Sequence, residues 1–124
     1  MCGITGMILG NKNRTKEDLD KLIDNFNNLT VACTIRGRHA TGVYVVNPDG
    51  IIMTKMPLSA EDAIDTERWQ EVMSKVSNDT IAVIGHVRWA THGDPIVNQN
   101  NHPLINQNII GVHNGIISNY QDFK

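Results

Sequence analysis

The amino-acid sequence predicts an α+β domain built on a mostly antiparallel sheet with helices packed against it. Two segments repeat apolar residues at helical spacing. Five other segments are short and β-compatible, and two of these flank a tight-turn signal. The resulting order is strand, helix, hairpin, helix, strand, loop, strand, which favours hairpin pairing over parallel crossovers.

Each element has a local reason. Ile4 to Leu9 is short and apolar and reads as an opening strand. Asn11 to Arg14 is a polar turn, and Thr15 followed by Asp18 has the spacing of a capping box. Leu19, Leu22, Ile23 and Phe26 then mark one face of a first helix that should end near Asn28. Gly42–Val46 and Ile51–Thr54 flank Asn47-Pro48-Asp49-Gly50 and predict a hairpin. Trp69, Val72, Met73 and Val76 predict a second helix, with Thr66 as its cap. Ile81–Val87 and Asn108–His113 read as two further strands. Ile116 to Lys124 reads as the start of a helix with no C-terminal stop signal.

Composition narrows the function classes. The 124 residues amount to one domain at most, and 40% hydrophobic with 19% charged residues is ordinary for a globular protein. A net charge of −2 gives no electrostatic reason to expect nucleic acid or an anionic membrane as partner. No apolar run is long enough to span a bilayer, and the N-terminus lacks the pattern of a secretion signal. Cys2 and Cys33 are therefore expected as two reduced thiols in the cytoplasm. The Asn-rich stretch around Asn98, Asn100 and Asn101, with Pro95 and Pro103, reads as a long polar loop.

Four groups carry candidate chemistry. Cys2 becomes the first residue if Met1 is removed, which places a thiol and a free α-amine on one residue. With a reference pKa of about 7.7–8.0, an α-amine is partly neutral near pH 7 and can take the thiol's proton. Gly85 to Gly93 concentrates Arg88, Trp89, Thr91 and His92 where a strand runs into a loop. Arg88 offers a planar fork of donors suited to a carboxylate. Asn114 and Gly115 could aim a side-chain amide and a backbone N–H at one oxyanion. Arg36 to Gly42 reads as a tight loop shaping the pocket around Cys2. It is no phosphate-binding loop, since it has no Gly-Lys-Ser/Thr. Each group alone also fits a structural role: a small buried Cys, a core Trp with a surface Arg, an Asn-Gly turn. The spacings of His86, His92, His102 and His113 match neither a zinc finger nor a two-histidine helical motif, so no metal or cofactor is expected. A serine hydrolase is disfavoured because no Gly-x-Ser-x-Gly occurs.

Together, Met1–Gly6, Arg36-Gly37 with Gly42, Gly85–Gly93, Asn100–Pro103 and His113–Tyr120 resemble the class II glutamine amidotransferases, a family of N-terminal-nucleophile hydrolases. The strings Arg-Trp-Ala-Thr-His-Gly and His-Asn-Gly-Ile-Ile-x-Asn-Tyr are most similar to the glutaminase domains of glucosamine-6-phosphate synthases. The resemblance implies a four-layer αββα sandwich with largely antiparallel sheets. It implies that residues 1–124 form the N-terminal portion of a type-2 glutamine amidotransferase domain, incomplete at the C-terminus. It also implies that Cys2 is the nucleophile and that Asn114 and Gly115 form the oxyanion hole. Arg88, Thr91 and His92 would bind glutamine, and Trp89 would link that site to an ammonia path.

Two features depart from the family pattern. His39 stands where the family often has Asp. The family's Asp for the glutamine α-amine would fall beyond Lys124. The expected partner is L-glutamine, with a separate synthase subunit or a missing C-terminal segment accepting ammonia. An oligomer is compatible with unpaired strand edges. The alternative expectation is a truncated, catalytically silent relative that survives as a binding or regulatory protein.

Overall fold

The computed structural model describes residues 1–123. It is α+β with antiparallel sheets, as the periodicities predict. Strand β1 (Gly3–Ile8) leads into helix α1 (Lys16–Ala32), which tightens into a 3₁₀ turn at Cys33–Arg36. Strands β2 (Ala40–Asn47) and β3 (Gly50–Met56) form the hairpin. Short helix α2 (Ala60–Ala63), helix α3 (Glu67–Met73) and strand β4 (Ala82–Arg88) follow. The four long strands align in the order β1-β4-β2-β3, all antiparallel. Strand β4, the last of them in the chain, fills the gap between β1 and β2. A small second sheet pairs β5 (Leu104–Asn106) with β6 (Ile109–Gly111).

Helix α1 starts where expected. The Thr15 hydroxyl accepts from the Asp18 N–H at 3.1 Å, and the Asp18 carboxylate accepts from the Thr15 N–H at 3.0 Å. The helix runs past Asn28, however, to Ala32. Neither Asn27 nor Asn28 breaks it, because Asn27 serves a tertiary contact and Thr30 is buried with its hydroxyl donating to the Phe26 carbonyl. Helix α3 begins on the predicted Thr66 cap and stops at Met73, leaving Val76 to enter the core from the following turn.

Both long helices cover one face of the large sheet. Phe26, Trp69, Val72, Val43, Val45 and Val83 share one apolar cluster, and Trp69 is completely buried. Its indole N–H donates to the Asn27 side-chain oxygen at 3.0 Å, so the buried polar atom is satisfied.

The opposite face receives Ile4, Ile8, Ile84, His86, Tyr44, Ile51 and Lys55 by strand alternation. Ile8 is 82% exposed there. Among the described residues, the loop between β4 and β5 covers one end of this face, and the His113 carbonyl reaches His86 there. Lys55 Nζ donates to the carbonyls of Asn101 (2.8 Å) and Pro103 (3.0 Å). Gly42 permits the approach, since a Cβ there would lie 2.0 Å from the His102 carbonyl oxygen.

Two expectations near the C-terminus are corrected. Strand β6 ends at Gly111, not His113, and its partner β5 had no sequence signal of its own. Ile116 does not open a helix. Both Ile116 and Ile117 are exposed, and only a 3₁₀ turn forms at Tyr120–Phe123. So short a segment gains no helical stability without an apolar face docked on a partner. Lys124, the last residue of that expected helix, lies outside the described residues.

Candidate active site

The site lies at the end of the sheet where β1 begins and β4 ends. The pairing Gly3↔Val87 sets Cys2 beside the chain leaving β4. Gly3 has no spare room, as a Cβ would meet Val87 Cγ2 at 2.9 Å. The backbone N–H of Trp89 donates to Cys2 Sγ at 3.3 Å, and Sγ stands 3.7 Å from the Trp89 carbonyl oxygen.

Two side chains hold the main chain at Cys2. Arg36 Nε donates to the Cys2 carbonyl at 3.0 Å, and Asn114 Nδ2 donates to the same oxygen at 2.8 Å. Asn114 is thus brought next to Cys2 across 112 residues of sequence. Its amide is engaged with the Cys2 backbone.

A cavity of about 490 Å³ opens beside the sulfur. Of the residues singled out from sequence, Cys2, Arg88, Trp89, Thr91, His92 and Gly115 line it. Asn114 stands behind the Cys2 carbonyl and is not among the lining residues. Gly115 has φ +150°, in the region that favours glycine. The rim is open: Trp89 is 48% exposed, and Thr91 and His92 are exposed too.

Arg88 is different, being only 6% exposed. Its Nη1 donates to Asn101 Oδ1 at 2.8 Å, and its Nη2 donates to the carbonyls of His92 and of Gly93 (2.9 Å). The guanidinium therefore clamps the loop as well as facing the cavity. It retains Nε–H and one Nη1–H, since a guanidinium carries five donors. Asn101 is fully buried, and its amide donates to the Pro95 carbonyl at 2.7 Å and to Asn98 Oδ1 at 3.0 Å. The Asn-rich segment is thus the scaffold of the arginine.

Beneath this layer, His86 and His102 stack with ring centroids 4.2 Å apart. Burial pushes His86 down to about 4, against a hydrogen bond to the His113 carbonyl at 3.1 Å that raises it. Burial, then the charge of neighbouring His86, pushes His102 down to about 4. Both rings are held neutral, and His86 ties the strand to the backbone immediately before Asn114. Among the described residues, no cluster of three or more His, Cys, Asp and Glu side chains could hold a metal ion. No helix among them is long and apolar enough to cross a membrane.

Sequence reasoning did not assign the specific roles of three contributors. Asn101 was read only as part of a polar loop and of the Asn100–Pro103 segment, with no role of its own. The role of Arg36 depends on where the turn after α1 places it. His39 stood in the expected pocket-shaping loop and as a departure from a family pattern, but without the specific role its Nδ1 takes in accepting from the Ala90 N–H at 2.9 Å.

No family model matches the chain. Curated relatives do. Over the whole chain it is 35% identical to the isomerizing glutamine–fructose-6-phosphate aminotransferase of Oceanobacillus iheyensis and 34% identical to that of Streptococcus pyogenes. It is 30% identical to the enzyme of the same name from Sulfurisphaera tokodaii. The chain spans 18 to 19% of the length of these relatives.

Proposed function

We propose, from the premise that this chain is homologous along its whole length to the glutamine–fructose-6-phosphate aminotransferases, whose N-terminal domain is a class II glutamine amidotransferase, that it hydrolyses the side-chain amide of L-glutamine with Cys2 as nucleophile. The observation that carries the reading is Cys2 Sγ at the wall of a cavity that also presents Arg88, Thr91, His92 and Gly115. The reading places the chain in the front part of an αββα N-terminal-nucleophile fold.

The steps use this chain's own groups. Once Met1 is removed, the Cys2 α-amine takes the thiol proton. The sulfur attacks the amide carbon of glutamine and forms a C–S bond. The carbonyl oxygen becomes an oxyanion, met by the Gly115 N–H and by the Asn114 amide swung from the Cys2 carbonyl. Loss of one such donor costs typically about 2.7–4 kcal/mol of transition-state stabilisation. The C–N bond then breaks, the α-amine returns its proton, and ammonia leaves. Water cleaves the glutamyl thioester, releasing glutamate and restoring the thiol.

Arg88 would hold the glutamine α-carboxylate through its remaining N–H groups, with Thr91 and His92 at its side. Trp89 would wall the path that ammonia takes. Among the described residues, no carboxylate side chain lines the cavity to meet the glutamine ammonium. Released ammonia would pass to a synthase segment or subunit of the glucosamine-6-phosphate-synthase type.

Glutamate release measured with and without candidate synthase partners tests the reading. Cys2→Ala should lower it by about 10³-fold or more while leaving the unfolding midpoint unchanged. Intact-mass measurement should show loss of Met1, and a diazoketone analogue of glutamine should label Cys2. Glutamate release by Cys2→Ala at the wild-type rate would overturn the proposal. Retained Met1 with an unlabelled sulfur would favour a silent binding relative.

A further inference from the structure

The peptide that touches the sulfur is itself held by the loop that leads into β2, the neighbour of β4 away from β1. Gly37 lies directly against the Arg88–Trp89 peptide, where an added Cβ would be 2.4 Å from the Arg88 carbonyl carbon and 2.5 Å from the Trp89 nitrogen. Two residues on, the His39 N–H donates to the Arg88 carbonyl at 3.0 Å. The His39 Nδ1 accepts from the Ala90 N–H at 2.9 Å. Its ring lies on Trp89, with centroids 4.9 Å apart and planes inclined by 34°. A backbone N–H can only donate, so Nδ1 is unprotonated and the ring is the Nε2–H tautomer when neutral.

We propose that His39 is the positioning residue of the Cys2 site: its imidazole grips the Ala90 amide and the Trp89 indole, and so keeps the Trp89 N–H on Cys2 Sγ. Residues 88, 89 and 90 are each engaged by residues 37–39, through the carbonyl, the indole and the amide respectively. Trp89 alone of the three also reaches the sulfur. Its side chain is 48% exposed, so tertiary burial does not fix its orientation. The imidazole supplies what burial does not. An N–H donated to sulfur favours the negatively charged, attacking form, so a displaced Trp89 peptide weakens the nucleophile without removing it.

The catalytic part of this inference rests on the reading of Cys2 as nucleophile, but the clamp itself does not. The test compares the full chain with His39→Ala and His39→Asn. The Asn side-chain oxygen can stand near the place of Nδ1 and accept the same amide without stacking on the indole. Three measurements are made on each protein. The first is the alkylation rate of Cys2 by iodoacetamide, read by peptide mass, with Cys33 as internal control. The second is Trp89 emission, obtained by subtracting the spectrum of Trp89→Phe. The third is kcat and KM for glutamine hydrolysis.

His39→Ala should slow Cys2 alkylation by about five- to tenfold, the effect of one lost hydrogen bond of this kind. Cys33 should be unaffected and Trp89 emission should shift to the red. His39→Asn should restore the Cys2 rate to within about twofold of wild type but not the emission, since the amide contact returns and the ring does not. In hydrolysis, His39→Ala should lower kcat with KM nearly unchanged. Equal Cys2 alkylation in His39→Ala and wild type would overturn the proposal. So would His39→Asn behaving like His39→Ala. If wild type itself releases no glutamate, the function proposed above fails, while alkylation and emission still decide the clamp.

Discussion

The layer under the two long helices and the rim around Cys2 are built by opposite means. Under the helices, Phe26, Trp69, Val43, Val45 and Val83 are buried and held by apolar contact, which is non-directional. At the rim, Trp89, Thr91, His92 and Asn114 are exposed, and position comes from directed hydrogen bonds between distant parts of the chain. The first region supplies stability and tolerates small shifts. The second supplies geometry and contributes little stability of its own. The two should therefore respond separately to mutation, except where one residue serves both.

The largest stability effect is expected in the layer. Trp69→Ala removes a fully buried indole and leaves Asn27 without its partner. Urea denaturation should show a loss of about 3–5 kcal/mol. Because the rim is held by other contacts, Cys2 alkylation in the folded fraction should keep its wild-type rate. A changed rate would show that the two regions are coupled.

Arg88 breaks the separation, because it is buried and also lines the cavity. Arg88→Lys cannot reproduce contacts to Asn101, His92 and Gly93 at once. It should cost about 1.5–3 kcal/mol and raise KM for glutamine. A KM change with full stability would confine Arg88 to the rim.

Acid probes the layer between them. His86 and His102 have folded values of about 4 against 6.5 for a free imidazole. Their folded values are depressed, so the stability they contribute is present above about 6.5 and is lost as pH falls from 6.5 towards 4. The unfolded chain binds the protons first, so the slope is at most about 1.4 kcal/mol per pH unit for each proton taken up. Urea midpoints measured across this range should fall with acid, and His86→Phe should flatten the curve. The smallest effect is at a surface cap: Thr15→Ala should cost about 1 kcal/mol with glutamate release unchanged.

What was legible in the sequence was local. The Thr15–Asp18 box, the Thr66 cap and the turn at Asn47–Gly50 each place their cause within a few residues. The segments around Cys2, Arg88 and Asn114 were legible as a set because their motifs fall in a recognisable order. What was not legible depends on distance. The insertion of β4 between β1 and β2 follows from pairing across the chain, and the burial of Asn101 under Arg88 follows from that loop's path. The continuation of α1 to Ala32 needed Asn27 to find Trp69. The segment at Ile116 shows the converse: Ile116 and Ile117 stay largely exposed, and so short an undocked stretch does not wind into a helix.

The two grips at the start of the chain bear on the proposed removal of Met1. Arg36 and Asn114 both hold the carbonyl of Cys2, which lies on the far side of its α-carbon from Met1. An aminopeptidase trimming Met1 would cut on one side of a hinge whose other side stays pinned. The new terminus would be free to act as a base, and the sulfur would keep its address through the cut.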